Sequence, residues 1–408
     1  MPKSTFFTGQ PVFNQLLSLV PRNAIQQLSK KYHSDRYCKR FKAYDHLVTM
    51  LFCAFHQCSS LREVVTGIQA NAHRLRHLGV NYTPRRSTLS DANKRRDAIL
   101  FEQIFQAIYR HHYGSLPDSL KDSRLSDRIF IVDSTTISLF CDVMKGAGTF
   151  KLNGKKKGGV KAHVLTRAKD HVPCFVHLTA ATQSDRLFMP MINLPEGSVL
   201  VMDRAYVNYK KMSEWTQSKI TWVTRFTSWL RYEIIENKSV SKSHQNGGVI
   251  QDSIIQLGNP DTQQRNPLQT ARLIRYHDKT SHRDFHFLTN NLAYSPLTIT
   301  QLYKKRWDIE LLFRRVKQNF QFHNFLGDNE NAIKIQMWCS LIADLLISII
   351  KARVDKYKKS KWSFSNIASL IRQHLGTYIH LLKFLLNPEK AVLQFAQEAK
   401  HQLPLFQT

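Results

Sequence analysis

Three carboxylates stand out in a sequence otherwise crowded with cations. Two follow runs of four apolar residues, Asp133 after IFIV and Asp203 after VLVM. The third, Glu310, sits inside the basic stretch YKKRWDIELLFRRVKQNF at 303–320. An apolar tetrad suits a strand covered on both faces, and a carboxylate directly after it lies where open α/β sheets place their ligand sites. Each aspartate alone is equally an ordinary turn residue at a strand end. At roughly 100° per residue in a helix, Tyr303, Arg306, Glu310 and Lys317 fall within a sector of roughly 60°. Leu302, Ile309, Phe313, Val316 and Phe320 form an apolar stripe beside it, so burying the stripe aims the glutamate into a cleft. The bland alternative pairs Glu310 with Arg306 or Arg314, each four residues away. Taken together, three hard oxygen donors match Mg²⁺, which uses few carboxylates and keeps positions for water and phosphate. Two such ions about 3.5–4 Å apart activate an attacking oxygen and stabilise a leaving one at phosphorus.

The rest of the chain says what that chemistry would act on. Among 408 residues, 59 Lys and Arg stand against 30 Asp and Glu, a formal charge of +29 that favours a polyanionic partner, nucleic acid first. No basic amphipathic segment or lipidation motif points to a membrane. The start, MPKSTFFTGQPVF, has no continuous apolar run of the kind that directs export. The run IQMWCSLIADLLISII at 335–350 contains Asp344 and is shorter than the roughly 20 residues a span needs, so it reads as a buried helix. Cys38, Cys53, Cys58, Cys141, Cys174 and Cys339 form no CxxC pair, which suits reduced thiols in a cytosol, and the histidines show no zinc spacing.

The elements that must position the carboxylates follow from pattern. Residues 11–113 read as helical. Within them TPRRSTLSDANKRRDAILFEQIFQAIYRHH offers Ser87 or Ser90 as an N-cap ahead of an apolar spacing through Leu100, Ile104, Phe105 and Ile108. Arg85, Arg86, Asn93, Lys94, Arg95 and Arg96 cluster near that start and are candidate phosphate contacts; a solvated face is the alternative. A polar link, GSLPDSLKDSRLSD at 114–127, then gives way to strands: RIFIVDSTTISL, GGVKAHVLTRA, PCFVHLTAA, SVLVMDRAYV and ITWVTRF. NGKKKGG is a natural hairpin loop. The β/α alternation predicts an α/β fold, β-type segments recur over 228–289, and helices resume near 298. The expected division is 1–113 helical and DNA-binding, 125–227 the first part of the core, 228–289 a β-rich insertion, 290–330 the second part carrying Glu310, and 331–408 helical and dimerising.

The spacing Tyr303, Arg306, Glu310, Lys317 resembles the Tyr-Arg-Glu-Lys signature of bacterial insertion-sequence transposases of the family-four type, within the DDE class. IVDSTT at 131–136 and VMDRAY at 201–206 precede it in the family's order. The resemblance covers roughly 125–330. It implies an RNase H-like catalytic core with a β-rich insertion, flanked by helical regions. It also implies cut-and-paste transposition with two Mg²⁺ ions, Mn²⁺ substituting, through a hairpin intermediate. Asp133 would bridge both ions while Asp203 and Glu310 each bind one; Tyr303, Arg306 and Lys317 would hold DNA near the cut. The implied partners are double-stranded element ends and target DNA, held by a homodimer in a synaptic complex, cytoplasmic and at the nucleoid, with no membrane. A base taken out of the stack needs an aromatic platform; Trp229 is the candidate, against a packing role in a β segment. Lys161 and His163 on the second strand could approach the site, against core or solvated roles. The competing readings are a nuclease of the same fold without strand transfer and a transposase-derived DNA-binding repressor.

Overall fold

The computed structural model describes residues 9–80, 82–112, 128–138, 150–152, 155–157, 159–168, 173–226, 230–262, 266–320, 325–327, 329–357 and 361–400. Two compact units make up the chain, one of residues 118–314 and one of residues 1–117 with 315–408.

The first unit is built on strands β1 (Ile129–Ser138), β4 (Gly159–Arg167), β5 (Pro173–Ala180), β6 (Val199–Met202), β7 (Thr221–Arg225), β8 (Tyr232–Asn237), β9 (Val249–Leu257), β10 (Gln269–Asp278) and β11 (Arg283–Thr289). They form one nine-stranded sheet in the order β5-β4-β1-β6-β7-β11-β10-β9-β8. A separate ribbon pairs β2 (Phe150–Leu152) with β3 (Lys155–Lys157), so the lysine run expected as a loop supplies a strand. The β1–β4 and β4–β5 ladders are antiparallel, and β1–β6 and β6–β7 are parallel. All four β6 residues are buried, as the VLVM run predicts.

The β-type segments at 228–289 do form strands, and among the described residues these join the nine-stranded sheet. Phe287–Thr289 of β11 pair antiparallel with Val223–Arg225 of β7, and β10, β9 and β8 follow outward. An unpaired edge on β7 would leave a row of bare N–H and C=O groups, and β11 covers it. Within this extension Arg272 makes a two-pronged contact with Asp252, Nε to Oδ1 at 2.7 Å and Nη2 to Oδ2 at 2.6 Å, both side chains buried.

In the helical unit, the 26-residue helix Glu330–Asp355 packs against helices Ala43–His56 and Ile99–His112. It is long and apolar enough to cross a membrane, yet 89% of its apolar window is buried inside the protein. Its apolar faces are covered within the chain, by these two helices and by Phe364–His374 and Leu381–Leu386. Asp344, fully buried, is held by Arg315 through contacts of 2.8 and 2.6 Å.

The expected helix through the basic cluster is two helices, Arg86–Arg95 and Ile99–His112. Neither Ser87 nor Ser90 caps it; the N-cap position is Arg85, without a side-chain cap. Asn331 explains the break: its amide nitrogen donates to the carbonyls of Asn93 and Arg96 at 2.8 Å, and its oxygen accepts from Ala98 N–H at 3.0 Å. One side chain thus satisfies backbone groups freed on both sides of the interruption. Lys94 and Arg95 consequently occupy a last helical turn, where cations complement the macrodipole.

Candidate active site

β1 carries Asp133 in its middle, a correction to the expected strand end. The reason is that β1 has two neighbours of different length. Its parallel pairing with β6 stops at Val132 opposite Met202, while its antiparallel pairing with β4 continues, with Asp133 opposite Val164. Asp203 does follow its strand directly, and its Oδ1 accepts from Ala205 N–H at 3.0 Å to open the 3₁₀ turn Arg204–Tyr206. Both aspartates thus stand where the β1–β6 ladder ends.

Glu310 lies in the first turns of helix Trp307–Asn319. The continuous helical face expected from Tyr303 to Lys317 is interrupted, because Tyr303 belongs to the preceding helix, Pro296–Lys304. Between them the hydrogen bonds tighten to an i→i−3 pattern, with Arg306 N–H donating to the Tyr303 carbonyl at 2.9 Å and Asp308 N–H to that of Lys305 at 3.0 Å. That turn lets Arg306 reach backward. Its Nη1 donates to Asp133 Oδ2 at 2.8 Å and its Nη2 contacts Glu310 Oε1 at 2.7 Å. One guanidinium therefore bridges two of the three expected ligands. Glu310's pairing with Arg306, the bland alternative, is real, and Asp133 shares the same cation.

The electrostatics agree with this convergence. Burial pushes the Asp133 carboxyl up to about 6, the Ser134 N–H and Arg306 oppose the rise, and the charges of Asp203 and Glu310 add to it. Asp133 thus feels both other carboxylates, although among the described residues no three acidic, His or Cys groups stand close enough to share one ion.

Tyr303 is buried, with its ring 5.1 Å from that of Phe287 and Arg306 lying 5.8 Å over its centroid. Burial raises its phenol to about 12. The ring is thus packed between Phe287 and Arg306. Lys317 lies near the end of the Glu310 helix, among the residues of the helical unit, and burial lowers its pKa.

Of the basic cluster, Arg85, Arg86, Lys94 and Arg95 are exposed. Asn93 and Arg96 are buried instead, which takes both side chains away from the expected DNA contacts. Asn93 Oδ1 sits 2.7 Å from His46 Nε2 in the core. Arg96 donates to the carbonyls of Ser34 and Phe41 at 3.1 and 2.9 Å and pairs with Asp35 at 3.5 Å. Trp229 lies outside the described residues.

Lys161 and His163 gather at Asp185, on the face of β1 that carries Ser134. Lys161 Nζ stands 3.3 Å and His163 Nδ1 3.5 Å from Asp185 Oδ1, and Ser134 Oγ donates to the same oxygen at 2.9 Å. In the sequence QSDRLF nothing marks Asp185 as more than a polar loop residue. Arg225 ends β7 opposite Phe287, with its charge felt by Tyr303.

A family profile described as the transposase DDE domain matches residues 124–346, just over half of the chain and the whole span from Asp133 to Glu310. The chain belongs to the DDE transposase family. A second profile, a domain of unknown function, matches residues 8–81. Three proteins named as bacterial transposases are similar to it. They are y4zB of Sinorhizobium fredii, 29% identical over 67% of this chain and 73% of that one, and the transposase of element IS5377 of Geobacillus stearothermophilus, 27% identical over 57% and 59%. The third belongs to element IS4SA of Synechocystis, 24% identical over 65% and 71%. A solved piggyBac transposase synaptic complex with hairpin DNA gives a TM-score of only 0.40 at 11% identity, over 96% of this chain and 84% of that one, too weak a likeness to carry an argument.

Proposed function

We propose that the chain is a DNA transposase that moves an insertion sequence by cutting and rejoining DNA, with Asp133, Asp203 and Glu310 as its metal ligands. The observation that carries this reading is the single cation shared by Asp133 and Glu310 in a member of the DDE family. The donor set fits a divalent ion: all-oxygen, acidic, and raised in pKa at Asp133 by burial that a positive charge would offset. When bound, Mg²⁺ or Mn²⁺ would activate an attacking water or 3′-hydroxyl and stabilise the departing oxygen. The strand order β5-β4-β1-β6-β7, antiparallel through β1 and parallel after it, supports an RNase H-like core.

The chain's own groups bind and orient. The Arg306 fork suits phosphate oxygens as well as carboxylates, so a strand entering beside Asp133 offers it an alternative acceptor. Exposed Arg85, Arg86, Lys94 and Arg95 supply further phosphate contacts. Following the family resemblance, two copies hold the two element ends, a hairpin forms and is reopened, and the protein acts in the cytoplasm at the nucleoid.

Asp133→Asn, Asp203→Asn and Glu310→Gln should each abolish divalent-dependent cleavage of element-end DNA while duplex binding, measured by fluorescence anisotropy, is retained. A variant that cuts at the parent rate excludes that residue as a ligand. Hairpin and joined products on gels support transposition; simple nicks alone would favour a nuclease without strand transfer.

A further inference from the structure

Behind the catalytic face of the sheet lies a polar cluster that the proposed chemistry does not use. Ser134 follows Asp133, and strand alternation turns it to the opposite face. There its hydroxyl donates to Asp185 Oδ1 at 2.9 Å. Asp185 opens the 3₁₀ helix Asp185–Met191, which is anchored by buried Phe188 and Met189. His163, the cross-strand partner of Ser134, is wholly buried, stacks on Phe188 at 5.0 Å, and lies 3.5 Å from the same carboxylate oxygen. Its other contacts are Thr179 Oγ1, 2.9 Å from Nε2, and the Tyr206 hydroxyl, 3.2 Å from Nδ1. Tyr206 in turn closes the turn that Asp203 opens, its N–H donating to the Asp203 carbonyl at 3.0 Å.

Each of the two aspartates is therefore tied, through a residue one or three positions along, to one internal network. Stability alone explains this poorly, since well-packed apolar side chains usually serve a core at least as well as buried polar and ionic groups. What a satisfied network adds is a fixed geometry.

We propose that Asp185 is a positioning residue which, through Ser134, His163 and Tyr206, sets the separation of Asp133 and Asp203. The proposal rests on the reading of those two aspartates as metal ligands. The groups bracketed are the strand carrying one and the turn carrying the other, so loosening the bracket lets the carboxylates drift without removing either. Groups that orient metal ligands typically change metal affinity about 10- to 100-fold when lost.

The test titrates Mn²⁺ alone into the full chain by calorimetry and, separately, measures kcat and KM on end DNA. Asp185→Asn is expected to weaken Mn²⁺ about 10- to 100-fold and to lower kcat with KM for DNA unchanged. Ser134→Ala should do the same, and Ser134→Thr, which keeps the hydroxyl, should restore both. A merely structural role would instead lower the melting temperature and disturb KM along with kcat, with no rescue by threonine. Parent-like Mn²⁺ affinity in Asp185→Asn, while Asp133→Asn loses it, overturns the bracket alone. A parent chain that binds Mn²⁺ no better than Asp133→Asn removes the metal reading and the bracket together.

Discussion

Arg306 holds two acids with one cation, and Asp133 is the more deeply placed of the two, its side chain 15% exposed against 38% for Glu310. That placement has a measurable effect on stability. Burial pushes the carboxyl of Asp133 up to about 6 in the folded chain, above the roughly 3.9 of an unperturbed aspartate. Between those values the folded state holds more protons than the unfolded one, so this group's contribution to stability falls as pH rises through the window. Asp133→Asn should lack that fall. In chelator, denaturant melts at pH 4 and pH 7 should show the variant gaining about 1–3 kcal/mol on the parent between the two. A parallel pair of pH profiles would contradict the buried position of Asp133.

At the scale of elements, the extension of the sheet depends on a buried ion pair. Asp252→Ala leaves the Arg272 guanidinium enclosed without its carboxylate and should cost about 3–5 kcal/mol. Asp252→Leu with Arg272→Met should recover most of it, both read from urea midpoints.

The strands were legible where burial was two-sided and local, as in IFIV and VLVM, because four consecutive apolar residues leave little choice. The middle of β1 was not, since where Asp133 falls depends on the lengths of two neighbouring strands. Nor was the break at Lys305 and Arg306: helical periodicity put the four polar residues on one continuous face, but the chain tightens there, where Arg306 reaches a carboxylate 173 residues away in sequence. Asn331 likewise interrupts a helix 233 residues upstream. Local periodicity carries no record of such partners. Asp133, Asp203 and Glu310 stand out as candidates in the sequence because type and context coincide; Asp185 does not, because only the fold brings it to Ser134.

Across the whole molecule, a charge of +29 does not make every cation a DNA contact. Lys94→Ala and Arg95→Ala should each reduce the slope of log affinity against log salt by about 1, with little change in melting temperature. Arg96→Ala should do the reverse, lowering the melting temperature while the slope stays put, because its guanidinium is fastened to Ser34, Asp35 and Phe41. A slope change in Arg96→Ala without destabilisation would put that side chain on the surface. The far rim of the sheet has a consequence of another kind. Every residue of β8 is exposed, Ile234 and Ile235 among them, and among the described residues no strand lies beyond it. Such a border invites stray chains to zip on, and Glu233 and Glu236, set on either side of the isoleucines, act as repellents. Replacing both with threonine should turn a dispersed preparation cloudy at concentrations the parent tolerates, and light scattering that stays flat would show the acids are idle there.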